Sequence, residues 1–414
     1  MKKFSIRLIW FFYFFSFCAT VFAQVKVDSI FEVADTYAKQ HHYVDAIRTA
    51  NVALKADPKR GDILVFIANV YSWQDKNDSA LLFLQKAQDM RYEHADLYES
   101  WMNVLLRSHQ YQALLKMCDE AVRHGYPNRE DVLHKRLIAY SDLKEYNQAI
   151  QLTEQRENKF YISDSTLDGL ITDLYIKRNT NILSAYYTLD WFAHFTPQHL
   201  ASLDYSTKLG ENTLVVHSNF AHRFGMNDLQ LESDFYLHVS KKQYMYFNYG
   251  YGFNASLFSR NRIGYEYYLS FNHGFEVSLG GRYMQYPISK LFIVTAHVGK
   301  YVGKSWFSLR PYYVIKKGMK SLSFIGDYRL YEKNQFDYWS VEAGFGNSPD
   351  DIYATSQTNG FNQLNAYKIE LAKNIFINRV SEFHIGLGYT REEYSLNQFR
   401  NRYTLEAGYK IHLK

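Results

Sequence analysis

The chain has 414 residues, 47% hydrophobic and 21% charged, with a formal net charge of +5. That length supports two domains better than one, and the small positive charge excludes the strong basic field that nucleic acid demands. Tyr (37) and Phe (30) are abundant while Pro (6) is scarce, and the aromatic-rich segments fall mostly after residue 180. Such usage suits aromatic strands in the second half.

At the N-terminus, Lys2, Lys3 and Arg7 precede an apolar run from Leu8 through Phe17, and Val21-Phe22-Ala23 offers small residues before Gln24. This pattern predicts a secretory signal over residues 1–23, because the apolar core is shorter than the ~20 residues of a spanning helix. Phe17 is too bulky for the position before a lipobox cysteine, so Cys18 is expected to leave with the signal. Removing Lys2, Lys3 and Arg7 lowers the charge from +5 by three to +2. Cys118 then stands alone, which excludes an internal disulfide framework and a thiolate metal centre, and no cofactor is expected.

A spacing of 34 residues organises the segment 27–157. Ala34 and Tyr37 recur as Ala68 and Tyr71, Ala46 as Ala80, and Ala53 as Ala87 and Ala121. Small side chains at these positions let paired helices cross closely, with apolar residues burying the shared face. The third unit substitutes Met102, Leu105 and Leu114, and one inserted residue near Tyr126-Pro127 leads to a fourth with Tyr140, Tyr146 and Ala149. The period and register resemble the tetratricopeptide (TPR) family, which implies a surface for a protein or peptide partner. Trp73 and Trp101 are expected in the core, and His41-His42 at a solvated turn. Ser165 with Asp168 resembles a capping box and predicts a closing helix from about Thr166 to Lys177. The helical domain is thus bounded at 24–178, and the two residues Asn179 and Thr180 would hold it close to the first strand.

From residue 179 onward we count fourteen amphipathic segments, from 181–193 to 400–413, with twelve as the alternative. In the last of them Tyr403, Leu405, Ala407, Tyr409, Ile411 and Leu413 alternate with Arg402, Thr404, Glu406, Gly408, Lys410 and His412. One side suits lipid and the other water, the signature of an antiparallel transmembrane β-barrel. Tight turns at Gly210-Glu211-Asn212, Asn272-His273-Gly274 and Val302-Gly303-Lys304 alternate with longer links at 254–261, 347–360 and 392–399. An even strand number puts both barrel ends on the periplasmic side of an outer membrane, with the helical domain there too.

The alternation assigns Arg262, Glu266, Glu276, Arg282, Asp327, Arg329, Glu342, Lys368, Glu370, Arg402 and Glu406 to the lumen. On the lipid face an Arg or Lys at the midplane would cost on the order of 2–4 kcal/mol. Two readings of the charged wall stand side by side, a polar conduit and a closed network of ion pairs. Glu406, Gly408, Ile411 and Leu413 resemble the polar-x-Gly-x-x-apolar-x-apolar signal read by the barrel insertion machinery of Gram-negative bacteria, with Lys414 in place of a terminal aromatic.

Repeats such as Ala68-Asn69-Val70-Tyr71-Ser72-Trp73, followed by Gly250-Tyr251-Gly252-Phe253 and Gly386-Leu387-Gly388-Tyr389-Thr390, resemble the YaiO family of outer-membrane β-barrel proteins. No Gly-x-Ser-x-Gly elbow, His-Glu-x-x-His, phosphate loop or dinucleotide fingerprint occurs. His217, His222, His238, Ser218 and Asp234 are candidates for a lipase-type site, although His217 and Ser218 point to opposite faces. The expectation is a non-enzymatic barrel in the outer-membrane bilayer that exports a polysaccharide or passes solute, its repeats binding a periplasmic protein or glycan. The alternatives are an anchored docking scaffold with a closed barrel and a lipid-modifying barrel enzyme.

Overall fold

The computed structural model describes residues 27–155, 158, 165–193, 195–287, 289–316, 319–346, 365–395 and 397–414. The predicted signal and the 347–360 link lie outside the described residues. The chain divides into two compact units, one reaching Leu174 and one starting at Tyr175.

Among the described residues of the first unit, eight helices form four antiparallel pairs. They are α1 (27–39), α2 (Tyr43–Ala56), α3 (Gly61–Trp73), α4 (Asn77–Asp89), α5 (Ala95–Arg107), α6 (Tyr111–Arg123), α7 (Arg129–Asp142) and α8 (Tyr146–Glu154). A ninth, α9 (Ser165–Arg178), comes after them, one residue longer at each end than the predicted closing helix; the side chain of Ser165, half of the expected capping box, is outside the described residues.

The period is visible in the backbone itself. His41, Asp75, His109 and Lys144, spaced 34, 34 and 35 residues apart, each take a positive φ at the end of a first helix. At each, the next amide turns back to a carbonyl five residues earlier: His42 N to Tyr37 O, Lys76 N to Tyr71 O, Gln110 N to Leu105 O and Glu145 N to Tyr140 O, at 2.8–3.0 Å. This is the Schellman C-cap, repeated four times without a glycine at the left-handed position.

Packing follows the small residues. Ala34, Ala46, Ala53, Ala68, Ala80, Ala87, Ala121 and Ala149 are all fully buried at the helix crossings. Met102 occupies the third unit's equivalent of Ala34 and Ala68, and Cys118 of α6 meets it with Sγ 3.6 Å from Sδ. Trp101 is buried as expected, but Trp73 is half exposed. As the last residue of α3 it lies past the helix crossing, with its ring beside that of Tyr43.

The second unit is a closed antiparallel barrel of fourteen strands, each paired with its sequence neighbour and β1 with β14. The strands are β1 (Asn181–Phe192), β2 (Gln198–Leu209), β3 (Asn212–Arg223), β4 (Met226–Ser240), β5 (Gln243–Gly252), β6 (Asn261–Ser270), β7 (Phe275–Gln285), β8 (Lys290–Val302), β9 (Ser305–Lys316), β10 (Met319–Tyr331), β11 (Tyr338–Phe345), β12 (Ala366–Ile377), β13 (Ser381–Ser395) and β14 (Gln398–Leu413). Closure pairs Asn181 with Leu413 and Phe192 with Arg402, so the strand ends nearest residues 181 and 413 share one rim.

Two connections differ from expectation. The predicted link 392–399 is mostly strand: Glu392 pairs with Arg400 and Glu393 with Phe399, leaving a short turn. A polar, charged run reads as loop, yet here the charges on the inward side pair with each other, Arg400 Nε lying 2.6 Å from Glu392 Oε1. The link after β5, expected as an outer loop, turns into the barrel instead. Its Leu257 and Phe258 are buried against Ala221, Met284, Leu291, Ile293, Tyr312 and Val314, side chains that the register places on the inner wall.

Candidate functional site: the barrel lumen

Residues facing each other across an antiparallel ladder share a side of the sheet, so register and burial together define the lumen. On β6, Ile263 and Tyr265 are 52% and 43% exposed to the barrel exterior, while Arg262 and Glu266 on either side of them are 9% and 2% exposed. An unbroken run of cross-strand partners carries this inner face around the wall.

Every charged residue assigned inward by alternation sits on that face. Glu266 accepts from Ser278 Oγ and from Arg310 Nη1, the latter at 2.6 Å, while Arg310 Nη2 donates to the Tyr268 hydroxyl at 3.1 Å. Glu276 accepts from Ser270 Oγ at 3.1 Å. The guanidinium of Arg282 lies 5.8 Å from the ring centre of Tyr312, and that of Arg329 sits between Trp306 and Tyr338 at 4.8 and 5.1 Å. Lys368 Nζ reaches Glu342 at 2.8 Å and Glu370 at 3.0 Å, with Asp327 across from Glu342 in register. Arg402 lies 3.9 Å from Asp190 and 3.7 Å from Glu392, and Glu406 lies 3.4 Å from His384. Arg262 Nε lies 3.6 Å from Glu232. Of the insertion-signal residues, Glu406 and Gly408 face inward, while Leu413 is exposed on the outer face and Ile411 shares its side of the strand.

The wall therefore carries both signs with most charges partnered. In a low-dielectric interior an unpaired charge is costly, so pairing is what lets the lumen hold them. Several participants were not singled out from sequence, among them Arg310, Asp190, Arg223 and Glu382. Strand alternation marks their side, but β9 is interrupted in composition by Pro311, and the others stand near strand ends.

His217 lies 2.9 Å from Asp204 through Nδ1 and 3.2 Å from Asp234 through Nε2. Both ring nitrogens are engaged by carboxylates, and Ser218 faces the other way. Of the remaining lipase-type candidates, His222 Nδ1 pairs with Asn227 Oδ1 at 2.6 Å and His238 stacks on Tyr244. A relay through Ser218 is not assembled. Among the described residues no group of three or more His, Cys, Asp or Glu is arranged to hold a metal ion.

The inward loop 253–260 is held by Asp228, near the start of β4. Its Oδ2 accepts from Leu257 N at 2.8 Å and Phe258 N at 2.9 Å, and its Oδ1 from Leu229 N at 2.9 Å and Asn254 N at 3.2 Å. One carboxylate thus satisfies four backbone donors, and Asp228 is 1% exposed. The signal available in the sequence was the apolar pair Leu257-Phe258 inside a polar loop. At the opposite rim the turn after β10 also folds inward: Phe336 packs 5.3 Å from Phe376 and 5.2 Å from His412. Lys373 ties that turn at both ends, reaching Glu332 at 2.9 Å and Asp337 at 2.6 Å.

Residues 180–351 match the family described as the YaiO membrane beta barrel domain. No curated protein matches the chain. Among solved structures, a bacterial polysaccharide outer membrane secretin is similar with 8% identity, covering 57% of this chain and 99% of that one at a TM-score of 0.39. Omp33 of Acinetobacter baumannii is similar with 12% identity, covering 57% and 98% at 0.37. PilF of Pseudomonas aeruginosa is similar with 18% identity, covering 38% and 70% at 0.33.

Proposed function

We propose, with a YaiO membrane beta barrel domain at residues 180–351 as the premise, that this protein is a non-enzymatic outer-membrane barrel providing a gated polar passage. The cargo is a polysaccharide or a polar solute, and the helical repeats recruit or guide a partner on the periplasmic side. The observation that carries this reading is the lumen: charged side chains of both signs on its wall, and a loop drawn inward by the Asp228 carboxylate over an apolar patch. Hydrophobic filling, as in small barrels that conduct nothing, would need no such wall. The partner is a protein or glycan, met on the concave face that stacked repeats build.

A second reading is favoured by the burial of Leu257 and Phe258. If that apolar contact is permanent, the barrel is an anchor and the repeats are the working part. Single-channel conductance in planar bilayers separates the two. The passage reading expects small or intermittent current from the intact protein and a larger steady current when residues 253–260 are replaced by a short Gly-Ser turn. Correctly folded barrels that stay silent in both forms would establish the scaffold. Turnover of envelope lipids by the purified protein would revive the enzyme alternative.

A further inference from the structure

Beside the inward loop, against β1–β4 and β6, lies a partly open cavity of about 260 Å³ whose lining includes Phe258. Pockets that take a whole drug-sized ligand span ~300–1,000 Å³, so this one matches a single unit of a longer chain. It is polar enough to hold water, at a share of roughly 30 Å³ per molecule.

Its walls offer planar donors and acceptors side by side. Asn219 Nδ2 donates to Gln230 Oε1 at 3.3 Å, and Gln230, 1% exposed, has no hydrogen-bond partner for Nε2. Glu232 Oε1 accepts from Asn248 Nδ2 at 2.6 Å and faces Arg262 Nε at 3.6 Å. Both charged side chains are 10% exposed. Their charges offset one another, so a phosphate, sulfate or uronate would meet Glu232 and an ammonium would meet Arg262. An apolar guest is disfavoured as well, because it would leave the buried amides without partners. Tyr186, Phe220 and Phe258 add aromatic surface to the lining, and Leu200 and Ala201 add aliphatic surface.

We propose that this cavity is a subsite for one ring of a neutral oligosaccharide. Vicinal hydroxyls, each both donor and acceptor, match the amide, carboxylate and guanidinium edges of Asn219, Gln230, Glu232 and Arg262. The apolar face of a sugar ring matches the aromatic surface of Tyr186 and Phe258. The assignment deepens the passage reading and rests on it: the ring bound here belongs to the transported chain.

The test uses the full-length protein in detergent and isothermal titration with cellotetraose, chitotetraose and maltotetraose, beside tetragalacturonate as the anionic control. The expected result is saturable binding of at least one neutral tetramer, no binding of the anion, and at least a tenfold loss of affinity in Gln230→Leu. Gln230→Glu, which keeps the shape and replaces the amide donor, covers the case in which the first variant does not fold. Failure of every neutral tetramer, preference for the uronate, or unchanged affinity in a folded variant overturns the subsite. Conductance of the loop-replaced barrel is measured in parallel. A conducting barrel that binds no tetramer overturns the subsite alone. Amide-dependent binding by a barrel that never conducts supports the subsite and overturns passage.

Discussion

Tyr186 of β1 packs its ring over Gly408 of β14, directly across the seam that closes the barrel. A Cβ placed on Gly408 would fall inside the van der Waals envelope of Tyr186 Cδ1 and Cε1. His384 meets the same ring edge-on at 6.0 Å, and Lys410 Nζ lies 5.9 Å from its centre. A glycine read as part of an insertion signal is thus also a packing requirement of the folded barrel. An aromatic ring covering a cross-strand glycine is a known way of holding register.

Gly408→Val should therefore weaken closure at β1–β14 by the ~1–3 kcal/mol typical of overpacking. The expected outcome is a lower temperature for loss of the compact, fast-migrating form on semi-native gels. Tyr186→Ala in the same chain should recover part of the loss by vacating the space. No recovery would mean that the glycine acts before folding, at insertion.

Asp228→Ala should free the inward loop. Hydrogen bonds to a charged group contribute roughly 1.5–3 kcal/mol, and the substitution leaves four backbone donors without their acceptor. With a cysteine introduced by Ser256→Cys as reporter, maleimide labelling of the folded protein should accelerate several-fold when Asp228 is replaced. Equal labelling rates with and without Asp228 would show that the apolar contacts of Leu257 and Phe258 hold the loop alone.

That assay depends on native Cys118 staying silent, which is itself a prediction. Cys118 is fully buried, and burial pushes its thiol up to about 12. Since the thiolate is the reactive form, Cys118 should resist thiol reagents at pH 8 in the folded protein and react on addition of denaturant. Rapid labelling without denaturant would mean that the third repeat opens readily.

Arg60 joins two helices, with Nη1 2.6 Å from Asp28 of α1 and Nη2 2.6 Å from Asp62 of α3. Partial burial pushes the Asp62 carboxyl upward, but the hydrogen bonds and charge of Arg60 outweigh it and hold the carboxyl below the ordinary value. A depressed folded value stabilises above the unfolded pKa of about 3.9, and the gain disappears as pH falls through the folded value. After discounting for solvent screening, Arg60→Ala should cost about 1 kcal/mol near neutral pH. The difference in helical melting should close as pH falls through the depressed folded value of Asp62. A gap that persists in acid would place the contribution in the contact of the Arg60 guanidinium with the Phe31 ring.

The sequence by itself determined what repeats locally. Thirty-four-residue recurrence of Ala34 and Tyr37 marks the helix pairs, and alternation along Arg402–Leu413 marks which side of each strand meets lipid. Both signals follow from geometry within one element, 3.6 residues per turn or two per pleat. They identified fourteen strands and the inward side of Glu266 and Lys368. They misread Glu392–Phe399, because a charged strand end and a loop have the same composition. Tertiary structure alone decided the rest: that Arg310 neutralises Glu266, that Tyr186 covers Gly408, and that Asp228 draws Leu257 and Phe258 into the lumen. These partners lie on different strands, and who meets whom depends on the stagger with which a closed sheet joins its own edge. No local period encodes that stagger.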